Sequence, residues 1–431
     1  MSQQLASAGF QQKILDKQLV KLPQQIKYCT KCAISNQRPR IEFDAEGVCG
    51  ACRYVDIKTK GTDWTSREKE LAALCDLHRS KDGSFDVIVP CSGGKDSSRV
   101  AHELKHTYGM NPLTVTWAPF EYTPEGFRNF RNFTKSGFNN LMAWPNGHIH
   151  RKLARIAFEA LGDAWQPFTY GQVCYAFHIA KSFGIKLVFF GENGEAEYSG
   201  DPRVFNLRGM PFDHWAEQYF KGVTVDDLIQ YGLTQTDYLT KDDYVDSDLT
   251  FYRPPNLDLM KKIGVEFHWF SYYKMWVPQE NYYYASEHTG FQANPTGRSE
   301  GTYSKYASLD DQFDGYHYYL AFIKFGIGRA TSDAAHEVRD GHLTRDEAVG
   351  LIRRFDGEFP SRWFPQFLEY LDITEEQFWA VVDRYRLPHI WKKEDGRWKL
   401  RQAIYDESGP YQDEPGYLLT TPASANISAQ S

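Results

Sequence analysis

A chain of 431 residues has room for one large domain with additions, or for two or three domains. Its 42% hydrophobic and 24% charged residues are ordinary for a globular protein in water, and a net charge of −7 supplies no global basic field for nucleic acid. No stretch approaches the roughly 18 to 20 apolar residues that cross a bilayer. Met1 to Lys27 also lacks the charged-then-apolar pattern of a secretory leader, so a cytoplasmic protein without a membrane partner is expected.

Residues 1–27 read as a polar, partly helical lead-in. A cysteine module follows at 28–56. Of seven cysteines, four form the pairs Cys29-Thr-Lys-Cys32 and Cys49-Gly-Ala-Cys52, separated by residues 33–48. This is the two-knuckle spacing that closes four thiolates around one metal, zinc first and an iron–sulfur cluster second. The segment between the pairs has few large aliphatics, so a metal would have to hold it together. Four cysteines leave no open coordination position, which makes such a site structural. Gly50 eases the tight turn of the second pair.

Leu71, Leu74 and Cys75 fall at helical spacing. From Phe85 the pattern alternates strand, turn and helix. Phe85–Cys91, Leu113–Trp117, Asn140–Trp144 and Lys186–Phe190 read as strands, and residues 124–136 and 171–183 as helices. Val265–Phe270 adds a further strand. The expectation is an α/β, doubly wound parallel sheet with helices on both faces. The aromatic run from Phe267 to Tyr284 suits packing better than stacking on a sugar ring. Beyond about residue 310 the chain reads as helical, with capping boxes at Thr344–Glu347 and Thr374–Gln377. The last residues, Leu418–Ser431, read as a disordered tail.

The chemistry concentrates after the first strand. Ser92-Gly-Gly-Lys-Asp-Ser97 stands between that strand and a helix bearing Val100, Ala101, Leu104 and Tyr108 on one face. Exposed N–H groups and the positive helix end make this an anion site. Gly93 and Gly94 let backbone approach phosphate oxygens, and Ser92 and Ser97 add hydroxyls. Lys95 brings positive charge, and Asp96 suits magnesium. A Walker A loop is excluded, because Val89 and Asp96 stand where it needs Gly and Ser or Thr. Cys91, beside the loop, reads as a small buried residue at a strand end. Gly191-Glu-Asn-Gly194 follows another strand's carboxyl end, where open sheets hold ligands, so Gly191 and Glu192 join the candidates. Trp117, at the end of the second strand, is either an adenine flank or a core residue.

This loop resembles the SGGxDS signature of the PP-loop ATP pyrophosphatases. The resemblance implies an adenine nucleotide alpha hydrolase-like sheet and a reaction in which a substrate oxygen attacks the α-phosphate of ATP, releasing pyrophosphate. It places the PP-loop domain at 57–300, a helical C-terminal part at 301–395 and an extension with the tail at 396–431. More of the chain is similar to the N-acetyl sugar amidotransferases of bacterial surface-polysaccharide biosynthesis. The similarity runs through the knuckles, the loop, Gly191–Gly194, Lys324-Phe-Gly-Ile-Gly-Arg-Ala-Thr331, Leu343–Ala348 and Asp356-Gly-Glu-Phe-Pro360.

That family is taken to convert a sugar acetamido group to an acetamidino group, with ammonia from a separate glutaminase. It implies ATP, magnesium and structural zinc as cofactors and a nucleotide sugar as substrate. Within this reading Lys95, Asp96 and Glu192 carry the chemistry, and Lys305, Lys324 and Arg329 are candidates to clamp the sugar-nucleotide phosphate. No ammonia source is visible in the chain: Ser2 follows Met1, where an N-terminal glutaminase needs cysteine. The rival reading is a tRNA-thiolating enzyme, which calls for reactive cysteines and a basic groove. A nucleotide-sensing scaffold is a third.

Overall fold

A computed structural model describes residues 14–209 and 220–406, so Leu418–Ser431 lies outside the described residues. In chain order the elements are α1 (Gly50–Lys60), α2 (Trp64–His78), β1 (Val87–Pro90), α3 (Lys95–His106), β2 (Pro112–Trp117), α4 (Pro124–Lys135), β3 (Asn139–Ala143) and α5 (Gly147–Leu161). Next come α6 (Gln166–Phe183), β4 (Leu187–Phe190), α7 (Val225–Gln235), α8 (Leu257–Ile263), β5 (Glu266–Trp269) and α9 (Pro278–His288). The C-terminal elements are α10 (Asp314–Phe325), α11 (Arg329–Arg339), α12 (Arg345–Phe355), α13 (Phe364–Leu371), α14 (Glu375–Arg384), β6 (Trp391–Glu394) and β7 (Arg397–Leu400).

Strands β1 to β5 form one parallel sheet in the order β3-β2-β1-β4-β5. Side chains alternate across it, as the two-residue period of a strand dictates. Ile88, Leu113, Val115 and Val188 join the core built on α5 and α6, whereas Val87, Val89, Leu187 and Phe189 join a second core with Leu71, Val100 and Leu104. Both faces are therefore covered, which explains why these strands read as unbroken apolar runs.

The order reverses between β1 and β4, since β2 lies to one side of β1 and β4 to the other. Open α/β sheets bind ligands at such a switch point, beyond the carboxyl ends of the strands. The Ser92–Ser97 loop leaves β1 at this point, and Gly191–Gly194 leaves β4 beside it.

The C-terminal part shares the main core. Phe313, Tyr316, Phe367, Phe378 and Tyr385 pack with the residues of α5 and α6, and Phe158 stacks on Phe378 at 5.5 Å between ring centroids. Both expected capping boxes form. The helical expectation needs one correction, because β6 and β7 make an antiparallel hairpin. Its two-residue turn, Asp395-Gly396, has φ of 50° and 77°, the left-handed pair that an Asp-Gly hairpin turn requires. The lead-in also enters the core, through Leu19, Leu22 and Ile26. The aromatic segment is mostly packing: Trp269, Phe270, Tyr273 and Trp276 are each 1% exposed or less.

Candidate functional site

The four cysteines form a closed cluster. Their Sγ atoms all lie within 4.8 Å of one another, with Cys29–Cys52 at 3.9 Å and Cys32–Cys49 at 3.8 Å. A tetrahedron with Zn–S bonds of about 2.3 Å has edges of about 3.8 Å, so these two pairs already stand at zinc spacing. Backbone N–H groups of Lys31, Cys32 and Cys49 donate to Cys29 Sγ, that of Cys52 donates to Cys49 Sγ, and the Arg339 guanidinium approaches Cys32 Sγ at 3.8 Å. These donors favour thiolates, the form that binds metal.

The module is bolted to its surroundings. Ile327 and Ala335 pack on the cluster, and Arg345 donates to the carbonyls of Cys29 and Cys32. Gly50 has a different role from the one expected. It is the first residue of α1 and lies back to back with Gly200, where a Cβ would stand 2.2 Å from the Gly200 carbonyl oxygen.

At the sheet's edge, Gly93 carries φ of +84°, and a Cβ there would meet Phe130 Cα at 2.5 Å. Only glycine fits. Gly94 caps α3, whose first internal hydrogen bond runs from Ser98 N–H to Gly94 O, so the N–H groups of Lys95, Asp96 and Ser97 have no partner within the helix. Lys95 Nζ pairs with the Asp96 carboxylate and lies 5.3 Å from the centre of the Tyr306 ring. Asp96 Oδ1 accepts from Asn281 Nδ2 at 2.7 Å, and Asn281 Oδ1 accepts from Arg99 at 2.6 Å, so α9 braces the start of α3.

Glu192 follows β4 within reach of this pair. Burial, and then the Asp96 charge, push its carboxyl up to about 7. Gly191 lies under the Trp276 ring, and its carbonyl accepts from Ser271 N–H.

The C-terminal part closes over the loop. Asp310 lies in hydrogen-bonding reach of Ser92, and burial with the nearby Asp314 raises its carboxyl above the usual range. Lys95 lines a polar cavity with Tyr306, Arg329, Asp333 and His336. Arg329 opens α11, bonds Asp333 at 3.0 Å and lies 4.3 Å from the centre of the Tyr318 ring. Asp356 accepts from Gly328 N–H and from the N–H and hydroxyl of Thr331, which fixes that helix end. Glu358 takes Arg298 in a two-armed pair at 2.6 and 2.8 Å. The run Asp356–Pro360 thus contributes to positioning and offers no group to the cavity.

Three candidates fall elsewhere. Lys324 is 2% exposed, paired with Asp16 at 3.1 Å and bonded to the Leu161 carbonyl, and it does not line the cavity. The left-handed Gly326 ends α10, which puts Lys324 and Arg329 on different helices despite their closeness in sequence. Lys305 is exposed, its ammonium 5.0 Å from the Tyr282 ring centre, and it does not line the cavity. Trp117 is a core residue: it is 5% exposed, presses on Gly171 and packs beside Tyr175 and Tyr252.

The three cysteines outside the module are buried, and burial raises their thiols, Cys91 to about 11 and Cys75 to about 12, with Cys174 also well up. None is poised as a nucleophile. His336, Asp340, Tyr306 and Asp310 were not among the expected site residues. No local signal marks them, because they reach the loop from more than two hundred residues away in sequence.

Fold and site together define a doubly wound α/β protein with a glycine-rich, lysine-bearing loop at its switch point and a four-cysteine cluster beside it. Residues 300–405 match the C-terminal domain of WbpG-like lipopolysaccharide biosynthesis proteins. No match to a curated protein was found. The matched region supplies the cavity wall that faces Lys95, including Arg329. Among the described residues no helix is long and apolar enough to cross a membrane.

Proposed function

We propose that the protein is an ATP-dependent amidotransferase of the PP-loop type, which turns a sugar acetamido group into an acetamidino group for surface-polysaccharide synthesis. The observation that carries this reading is one of position. A loop of the SGGxDS kind lies at the switch point, with Lys95 facing Arg329 across a cavity whose far wall resembles a lipopolysaccharide biosynthesis domain.

In this reading the Gly93–Ser97 backbone and Lys95 hold the β,γ-pyrophosphate of ATP. The acetamido oxygen attacks the α-phosphate, pyrophosphate leaves, and AMP then departs as ammonia attacks the former carbonyl carbon. An amide oxygen is a poor leaving group and AMP a good one, so one hard substitution becomes two easier ones. Asp96 and Glu192 would hold magnesium, which supplies positive charge to the phosphates. The residues suit it, since the Asp96 charge already opposes that of Glu192 and a cation would relieve both. Arg329 would face the sugar-nucleotide phosphate. The four cysteines would hold zinc and shape the cavity wall through α11. Ammonia would come from a separate glutaminase. Thiolation of tRNA draws no support, given the buried, protonated cysteines outside the module.

The test is pyrophosphate release from ATP with ammonium and a panel of nucleotide-activated acetamido sugars, with mass analysis of the sugar. The expected product is lighter by the difference between oxygen and NH. It forms together with AMP, and Lys95→Ala lowers the rate by about 100-fold or more. Pyrophosphate release with tRNA and a sulfur donor, without turnover of any sugar, would establish the thiolase instead.

A further inference from the structure

Asp333, His336 and Glu337 on α11, and Asp340 that caps its end, recur at three- and four-residue intervals and so share one face. That face is the cavity wall opposite Lys95. Asp333 is spoken for by Arg329 and Thr302. His336 is different. It is 4% exposed, and among the described residues neither ring nitrogen has a hydrogen-bond partner. Its Nε2 stands 3.4 Å from Asp340 Oδ2, and that oxygen has no hydrogen-bond partner either.

A buried polar group left unpaired destabilises the folded state. An apolar residue would fill the same volume without that cost, so folding alone gives no reason for an imidazole here. The Tyr198 ring, 5.3 Å away between centroids, packs against His336 without bonding it. The cations that act on the ring are Arg339 at the end of α11, Lys58 from α1 and Lys95 from α3. Burial and these cations keep the imidazole neutral, with a lone pair available. Asp340 faces Lys58, Glu197, Arg339 and Glu337, and burial lifts its carboxyl to about 7.

We infer that His336, oriented by Asp340, is the base that takes the proton from the nitrogen nucleophile in the cavity across from Lys95. The inference rests on the amidotransferase reading and adds the residue that its second half-reaction needs. Ammonia's lone pair forms the C–N bond to the carbon of the adenylated acetamide, leaving a positively charged nitrogen. Nε2 is the ring nitrogen nearer Asp340, at 3.4 Å, so Nδ1 receives one proton from that nitrogen. The C–O bond to AMP then breaks, and AMP leaves with the electron pair, giving the amidinium. His336 thereby acts after pyrophosphate has gone, and Lys95 before.

The two halves can be separated by experiment. In the full-length protein, sugar-dependent exchange of labelled pyrophosphate into ATP reads adenylation, and product mass reads amidine formation. His336→Asn is expected to keep the exchange and to lose ammonium-dependent amidine formation by about 100-fold or more. Hydroxylamine, whose nitrogen is more acidic once added and so sheds its proton to water more readily, should restore much of the lost rate as the N-hydroxy product. Asp340→Asn, a positioning change, should slow the ammonium step by about tenfold, also without loss of exchange.

Amidine formation at the normal rate in either variant would overturn the assignment. So would loss of exchange together with amidine formation, which would make His336 a binding or packing residue. If the unaltered protein shows no sugar-dependent exchange, the amidotransferase reading itself fails, and the inference fails with it. That outcome is distinct because it appears before any substitution is made.

Discussion

The cysteine module and the cavity beside Lys95 share α11 but are built in opposite ways. On one side of that helix, Ala335 packs against the cysteine cluster, where backbone N–H groups donate to Cys29 and Cys49 Sγ and Arg339 approaches Cys32 Sγ. On the other side His336 and Asp340 leave polar atoms without partners, and Glu192 carries a displaced carboxyl. A site whose polar groups are all answered from within is finished as a structure. A site that leaves them unanswered is built for something else to answer them. Arg339 joins the two, reaching Cys32 Sγ with one arm and the Glu197 carbonyl with the other.

The largest expected effect tests the closed side. Cys32→Ser, or removal of metal by a strong chelator, should unfold the module and with it the α11 wall, because structural zinc in such modules contributes on the order of 10 kcal/mol. Elemental analysis should find one zinc per chain, and the melting curve should collapse on chelation. A chelated protein with an unchanged melting curve would remove the structural role.

Next comes Lys324, a clamp candidate by sequence that the fold buries against Asp16. Lys324→Ala strands the Asp16 carboxylate, whose side chain has no exposure, and should cost about 3–5 kcal/mol in urea unfolding. The activity of the protein that remains folded should be untouched. A normal denaturation midpoint with lost turnover would return Lys324 to the site.

The smallest effect has the opposite sign. Glu192 has a folded value of about 7, above its unfolded value near 4.3, so the native state holds the proton more tightly. Stability therefore falls as pH rises from the ordinary glutamate range through pH 7 and is flat above it. Glu192→Gln removes that penalty, which is at most on the order of 4 kcal/mol. It should raise the melting temperature at pH 8, leave it nearly unchanged at pH 4, and lower pyrophosphate release. Equal melting temperatures at both pH values would show that Glu192 is not strained. The comparison would then rest on His336 and Asp340.

Much of the fold was legible from residue pattern. All five strands of the parallel sheet were read, because strands buried on both faces show as bare apolar runs such as Val87–Pro90 and Leu187–Phe190. The glycine-rich loop and the cysteine pairs were equally plain, since each is a local spacing with a local cause. Helices α1, α5, α7, α8 and α9 come from the structure. α1 begins inside the second cysteine pair, where a knuckle reading sees only a turn. The β6–β7 hairpin did carry a signal, Asp395-Gly396, but the expectation of an all-helical end passed over it.

The sequence by itself determined the elements whose causes lie within a few residues: the sheet strands, the caps, the four thiolates and the loop that turns on Gly93. The tertiary structure alone decided which charged side chains meet. Lys324, Lys305 and Arg329 look alike as basic residues in one stretch. The sequence cannot rank them, because exposure and partnership depend on where α10 ends and which chain lies above it. In the folded chain Lys324 is sealed against Asp16, Lys305 lies in solvent, and Arg329 stands on the cavity wall near Lys95. His336 follows the same rule. Its meaning comes from the partners it lacks, and a missing partner is a property of the surroundings that no spacing along the chain encodes.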